Sequence, residues 1–107
     1  VYKRQAFYDI KDKKVVDYLI KSLKEIDPLV RAQAIATLGE IRDEKAFPYI
    51  IEGLKDFAWE VRKESAEALI KMKNKEAIQP LKEALKKETS EDVEATIRKA
   101  ITYLSNL

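Results

Sequence analysis

The sequence predicts an all-α fold, a solenoid of stacked helix pairs rather than a unique globule. Three observations carry this. First, the apolar register repeats every 31 residues: Val15, Ala46 and Ala77 fall in one column, Leu19, Ile50 and Leu81 in another, and Leu23, Leu54 and Leu85 in a third. A fixed period of this length marks an array in which each unit buries its apolar face against its neighbours. Second, the spacing within each segment is helical. Val30, Ala34, Leu38 and Ile41 recur at i, i+4, i+8 and i+11, and Val61, Ser65, Leu69 and Met72 repeat the series. The alternation that marks strands is absent. Third, the turns keep the same register, with Asp12, Asp43 and Asn74 one repeat apart.

The elements follow in chain order. A first helix is expected over about 2–9, carrying Tyr2, Phe7 and Tyr8, with Ile10 just beyond it. Asp12 can accept a backbone N–H at the start of a helix over 13–25. Asp27 followed by Pro28 is an N-cap with proline at the first helical position, opening a helix over 28–41. Asp43 and Asn74 cap helices over 44–55 and 75–87, with another over 58–72 between them. Thr89 or Ser90 opens the last helix, 90–105, and Thr89 with Asp92 resembles a capping box with the shorter acid. That helix repeats the apolar series as Val93, Ile97, Ile101 and Leu104 at an offset of 32, so one residue has been added between Lys86 and Asp92. The two glycines, Gly39 and Gly53, lie inside helices, where each costs about 1 kcal/mol against alanine. Close approach of a neighbouring helix is the reason expected. Short connections force antiparallel neighbours. The helices divide into an outer set (28–41, 58–72, 90–105) and an inner set (13–25, 44–55, 75–87). The units run 1–26, 27–57 and 58–88, with a terminal half-unit at 89–107, all in one domain.

Composition narrows the chemistry. With 107 residues, 46% of them hydrophobic, the chain can build one small core. Charged residues make up 37% at a net charge of only +2, a surface of mixed sign rather than the one-sided basic excess that nucleic-acid binding wants. There is no cysteine, hence no disulfide framework, thiol nucleophile or thiolate metal site. There is no histidine, which removes the commonest general base and the commonest metal ligand. No catalytic residue, metal or cofactor is therefore predicted. Asp9 with Asp12, and Glu64 with Glu67, read as solvated surface carboxylates rather than acid–base dyads, because no pocket is in view to perturb them. No apolar run approaches the ~18 residues of a membrane span. No signal-peptide pattern is visible, so a cytoplasmic setting is expected.

The stretch Asp27-Pro28-Leu29-Val30-Arg31, then Ala34, Ala36, Leu38-Gly39 and Ile41, then Asp43-Glu44-Lys45-Ala46 and Leu54-Lys55-Asp56, resembles a HEAT repeat. More closely, it resembles the short HEAT-like unit named after phycobilisome lyases. The next unit matches through Val61-Arg62, Ala66, Ala68-Leu69, Ala77, Pro80-Leu81 and Leu85. Nearly the whole chain is covered, in three registered copies. The resemblance implies a right-handed superhelix of about three and a half helix pairs, with the inner helices lining a concave face. It also implies a binding or scaffolding role, since only a minority of such proteins are enzymes or lyase subunits. Arg31 and Arg62 hold the family's arginine column, which ties neighbouring helices together through turn carboxylates and carbonyls, here with Asp27 and Asp56 as partners. That structural role outweighs anion binding. Two departures mark the ends. Glu94 stands where the pattern has arginine, and Lys82 stands in the column of Ile20 and Ile51, as suits a terminal unit facing solvent. Val1 aligns with Ala32, inside an outer helix, so either the first unit is degenerate or, as the missing initiator Met favours, the chain is a piece of a longer protein.

The function expected is a non-enzymatic protein-interaction or scaffolding module. Its contact surface lies opposite the apolar stripe of the inner helices, by the ~100° rotation per residue. The first inner helix contributes Lys14, Asp17, Lys21 and Lys24; the second Lys45, Pro48, Glu52 and Lys55; the third Gln79, Glu83 and Lys86. Lys24, Lys55 and Lys86 share a column near the helix ends, where the helix dipole accounts for them. A lysine ladder for a phosphate backbone is the sharper alternative, weakened by Glu52, Glu76 and Glu83 on the same faces. Tyr18 and Tyr49 are expected to pack between repeats with the hydroxyl at water. Trp59 and Phe57 read as a cap on the core; if exposed, they become the best hot-spot candidate. Three other readings stay open: a homo-oligomer formed through the N-terminal end, a weak nucleic-acid binder, and, on the resemblance alone, a bilin lyase or isomerase subunit. The partner expected is another protein of polar surface, with no membrane involved.

Overall fold

The computed structural model describes residues 13–107. It holds six helices: α1 across 13–22, then α2 (Pro28–Ile41), α3 (Phe47–Gly53), α4 (Trp59–Met72), α5 (Ile78–Lys87) and α6 (Glu91–Ser105). A 3₁₀ turn precedes α3 at Glu44–Ala46 and α5 at Lys75–Ala77. No strand occurs among the described residues. The helix expected over 2–9, the apolar residues it carries, and Asp9 and Asp12 lie outside them.

Local chemistry sets the helix ends. The Asp27 carboxylate accepts the Leu29 N–H, with Pro28 opening α2. Asp43 and Asn74 do the same for the two 3₁₀ turns, accepting from Lys45 and Glu76. Ser90, not Thr89, caps α6: its hydroxyl accepts the Val93 N–H at 3.4 Å. The Thr89 capping box does not form, because the Glu88 carboxylate accepts the backbone N–H groups of Thr89 and Ser90. The first inner helix stops at 22 rather than 25, and Leu23, Lys24 and Glu25 close as i→i+3 turns. At the ends of α2 and α4, Arg42 (φ 63°) and Lys73 (φ 55°) adopt the left-handed conformation. They donate to the carbonyls of Leu38 and Leu69, the same capping device one repeat apart.

Equivalent columns meet in one core. Ala46 and Ala77, Ile50 and Leu81, Leu38 and Leu69, and Val61 and Val93 are all buried. Leu54 is buried in it, and Leu23 and Leu85 pack against it from matching positions. Both helical glycines are close approaches. A Cβ at Gly39 would stand 2.7 Å from the Ala68 Cβ, and one at Gly53 would stand 2.0 Å from the Ser65 Oγ. These contacts fix how near α2 comes to α4, and α3 to α4.

The two layers are spaced unequally. α2 lies along α4, and α4 along α6, whereas α3 and α5 barely touch. Helices α2, α4 and α6 thus form the closely packed layer, and α3 and α5 belong to the more open one. The cause is side-chain size. Gly39, Ala66, Ala68 and Ala100 let the backbones of α2, α4 and α6 approach. Lys82 is exposed, while Ile20 and Ile51, in the same column, are partly buried. Among the described residues, no helix is long and apolar enough to cross a membrane.

Candidate partner-binding grooves

A groove opens on each side of α3. The groove between α1 and α3 encloses about 260 Å³ over Ile20, Leu23 and Gly53, with Lys21, Lys24, Tyr49 and Glu52 at its edges. The groove between α3 and α5 encloses about 630 Å³ over Ile51, Leu54, Pro80 and Ala84, with Lys55, Gln79, Glu83 and Lys87 at its edges. They are one site repeated. Ile20, Leu23, Lys24, Tyr49, Glu52 and Gly53 correspond, 31 residues on, to Ile51, Leu54, Lys55, Pro80, Glu83 and Ala84. The second groove is larger where Pro80 replaces the bulk of Tyr49.

An arginine closes the base of each groove. Arg31 donates from Nε and Nη2 to the two Asp56 carboxylate oxygens at 3.0 and 2.9 Å, and from Nη1 to the carbonyls of Glu25 and Ile26, both at 2.8 Å. Arg62 repeats this one layer on. Its Nε and Nη2 reach the Glu88 oxygens, both at 2.9 Å, and its Nη1 reaches the carbonyls of Asp56 and Phe57, both at 2.9 Å. Each guanidinium therefore seals its own turn and forks onto the carboxylate of the next. Asp27 makes no hydrogen bond to Arg31 and acts on it only through its charge, which helps to raise the guanidinium. Glu88 is the partner the sequence reading missed. A strict count of 31 from Asp56 falls on Lys87, and the added residue moves the carboxylate to 88.

These pairs set the local electrostatics. Burial pushes the Asp56 carboxyl up, but the Arg31 hydrogen bonds, the Ala58 N–H and the Arg31 and Arg62 charges together hold it below the usual range. Glu88 behaves alike: burial raises it, and Arg62 with the Ser90 and Thr89 N–H groups brings it below the ordinary value. The Asp56 hydrogen bond raises Arg31 further. Both arginines are thus committed to structure.

All eleven residues expected at the partner surface are exposed. Lys21, Lys24 and Glu52 edge the smaller groove, and Lys55, Gln79 and Glu83 the larger. Lys14, Asp17, Lys45, Pro48 and Lys86 line neither. Asp17 of α1 pairs with Lys45 in the 3₁₀ turn before α3, and this hydrogen bond raises the Lys45 ammonium. Lys55 pairs with Glu52 at 3.6 Å and Lys86 with Glu83 at 3.5 Å, each along its own helix. On the tight layer, Lys71 pairs with Glu40, holding that carboxyl down, and Lys63 with Asp92 at 3.8 Å.

The aromatic expectations need correction. Tyr18 is 70% exposed and Tyr49 also counts as exposed, because the spread layer brings no neighbour onto them. Phe57 is 99% exposed and Trp59 is exposed, so neither caps the core. Ile26, which precedes Phe57 by one repeat, is 94% exposed. The turn tips therefore carry apolar side chains into solvent, a role their shared column could have signalled. Lys87 and Ala84 were also missed as groove residues; Ala84 holds the column of Gly53, a position where a helix surface is kept small. Among the described residues, no cluster of acidic side chains could hold a metal ion. The grooves offer an apolar floor between charged edges.

A comparison with curated proteins returns no match. A family model described as HEAT repeats matches residues 16–102. That match spans most of the sequence and the six stacked helices agree with it, so the chain belongs to the HEAT-repeat family.

Proposed function

We propose that this chain is a non-enzymatic protein-interaction module that takes a partner polypeptide on the α1/α3/α5 layer. One observation carries the reading: the same groove recurs on both sides of α3 with seven lining positions in register, the clamp arginine included. HEAT repeats generally mediate protein–protein interaction, which supports it. The 31-residue unit supports placement among the short, phycobilisome-lyase-type repeats. An apolar trough with polar edges suits a bound segment, because burial on the floor supplies affinity and the edges supply selectivity.

The test is selection of binders from a random peptide display library, followed by amide chemical-shift mapping. The reading expects binders that perturb Leu54 and Ala84 and that are weakened by Ala84→Phe, with an unchanged melting curve. Binders that perturb only the α2/α4/α6 face, or a library that yields none, would overturn it.

A further inference from the structure

Resting on that docking reading, we infer that the two grooves together select an acidic, extended segment bearing two large apolar side chains about three residues apart. The apolar part follows from the floors, Ile20 with Leu23 and Ile51 with Leu54. The spacing follows from geometry. Adjacent grooves are separated by the width of one helix, about 10–12 Å with its side chains. An extended chain of polyproline II type advances about 3.1 Å per residue with three residues per turn, so side chains on the one face that meets neighbouring grooves are about three residues apart.

The charge follows from an edge census. The smaller groove carries Lys21 and Lys24 against Glu52, and the larger carries Lys55 and Lys87 against Glu83. Glu52 is paired with Lys55 and Glu83 with Lys86. Lys21, Lys24 and Lys87 have no ion pair among the described residues. Asp56 and Glu88 are neutralised by Arg31 and Arg62. Each edge therefore presents a net positive charge beside an apolar trough. A nucleic acid would meet these lysines, but it would also meet Glu52 and Glu83 and find a floor suited to aliphatic side chains rather than phosphate.

The probe is a labelled eight-residue peptide with two leucines three positions apart in a glutamate background. Fluorescence anisotropy compares it with a lysine-background version, a glutamate version with adjacent leucines, and oligothymidylate as competitor. The glutamate peptide with spaced leucines should bind about tenfold or more tighter than either control peptide and weaken with salt. Lys24→Glu combined with Lys87→Glu should erase that preference without shifting the melting curve. Equal binding of the lysine version or of the adjacent-leucine version overturns the inferred chemistry while leaving groove docking intact. Displacement by oligothymidylate overturns it in favour of nucleic acid. If none of these peptides binds and display selection also yields nothing, the docking reading falls as well.

Discussion

The two helix layers come from one repeat, yet they are built for different ends. In the α2/α4/α6 layer, small residues face the contacts, Gly39 meets Ala68 almost backbone to backbone, and ion pairs join successive helices. In the α1/α3/α5 layer, tyrosine, proline and lysine face outward and the helices spread until grooves open between them. Close packing gains dispersion and apolar burial, so one layer holds the array together. Spreading forgoes part of that gain and leaves concave apolar surface, which is what binding needs. The module thus separates stability from recognition by layer rather than by domain.

The largest expected effect tests which layer holds the stack. Leu69→Ala, at a fully buried site on α4, should cost about 2–5 kcal/mol. Leu85→Ala, at a partly buried site on α5, should cost less than half as much, because its cavity opens toward solvent. Urea denaturation of the two variants decides it, and equal losses would break the comparison.

The arginine clamps span both layers and come next. Arg62→Ala strips the guanidinium from Glu88, whose side chain is only 2% exposed, and should cost about 3 kcal/mol. Arg31→Ala should cost less, since the Asp56 side chain is 18% exposed and water can reach the carboxylate once the guanidinium is gone. Acid sharpens this. Both carboxyls titrate below their unfolded values of about 3.9 and 4.3. Their contribution is therefore complete above those values and is lost as pH falls through the lower folded ones. Urea midpoints of the native chain should fall steeply below about pH 4, and Arg62→Ala should flatten that fall.

How much of this was legible follows from what fixes each feature. Period, helix positions and caps are local or near-local, so Asp27, Asp43 and Asn74 act as their residue types suggest. Layer spacing is not local. It depends on the balance of side-chain sizes across facing helices, so the close packing of α2 on α4 and the openness between α3 and α5 do not follow from any one helix. Glu88 was hidden by one added residue, although the shift of Val61 to Val93 already implied an offset of 32. The exposure of Phe57 and Trp59 was hidden because an aromatic in a turn reads the same whether it folds back or stands out. The groove residues were half visible, since exposure follows from the helical wheel and depth does not.

Gly39→Ala probes the tight layer more gently. Alanine favours a helix over glycine by about 1 kcal/mol, so propensity alone predicts a gain. The added Cβ, however, would stand 2.9 Å from the Ala68 Cα, which cannot move without parting α2 from α4. A net loss of about 1–3 kcal/mol is expected. At Gly53 the nearest atom is the Ser65 Oγ rather than backbone. Gly53→Ala should therefore be partly rescued by Ser65→Ala, whereas no single side-chain trim rescues Gly39→Ala. Thermal melts of the three single variants and the Gly53/Ser65 pair would show this.

The smallest effect on stability is the most telling for function. Lys21 is exposed, has no ion pair among the described residues and edges the smaller groove. Lys21→Ala should change stability by no more than about 0.5 kcal/mol. The same change should weaken a bound acidic segment and lower the salt dependence of its binding, because one cation at the groove edge is gone. A variant silent in denaturation but weakened in anisotropy puts recognition on the spread layer. If Lys21→Ala were silent in both while Lys63→Ala on α4 weakened binding, the partner would sit on the tight layer, and the division of roles between the layers would have to be reversed.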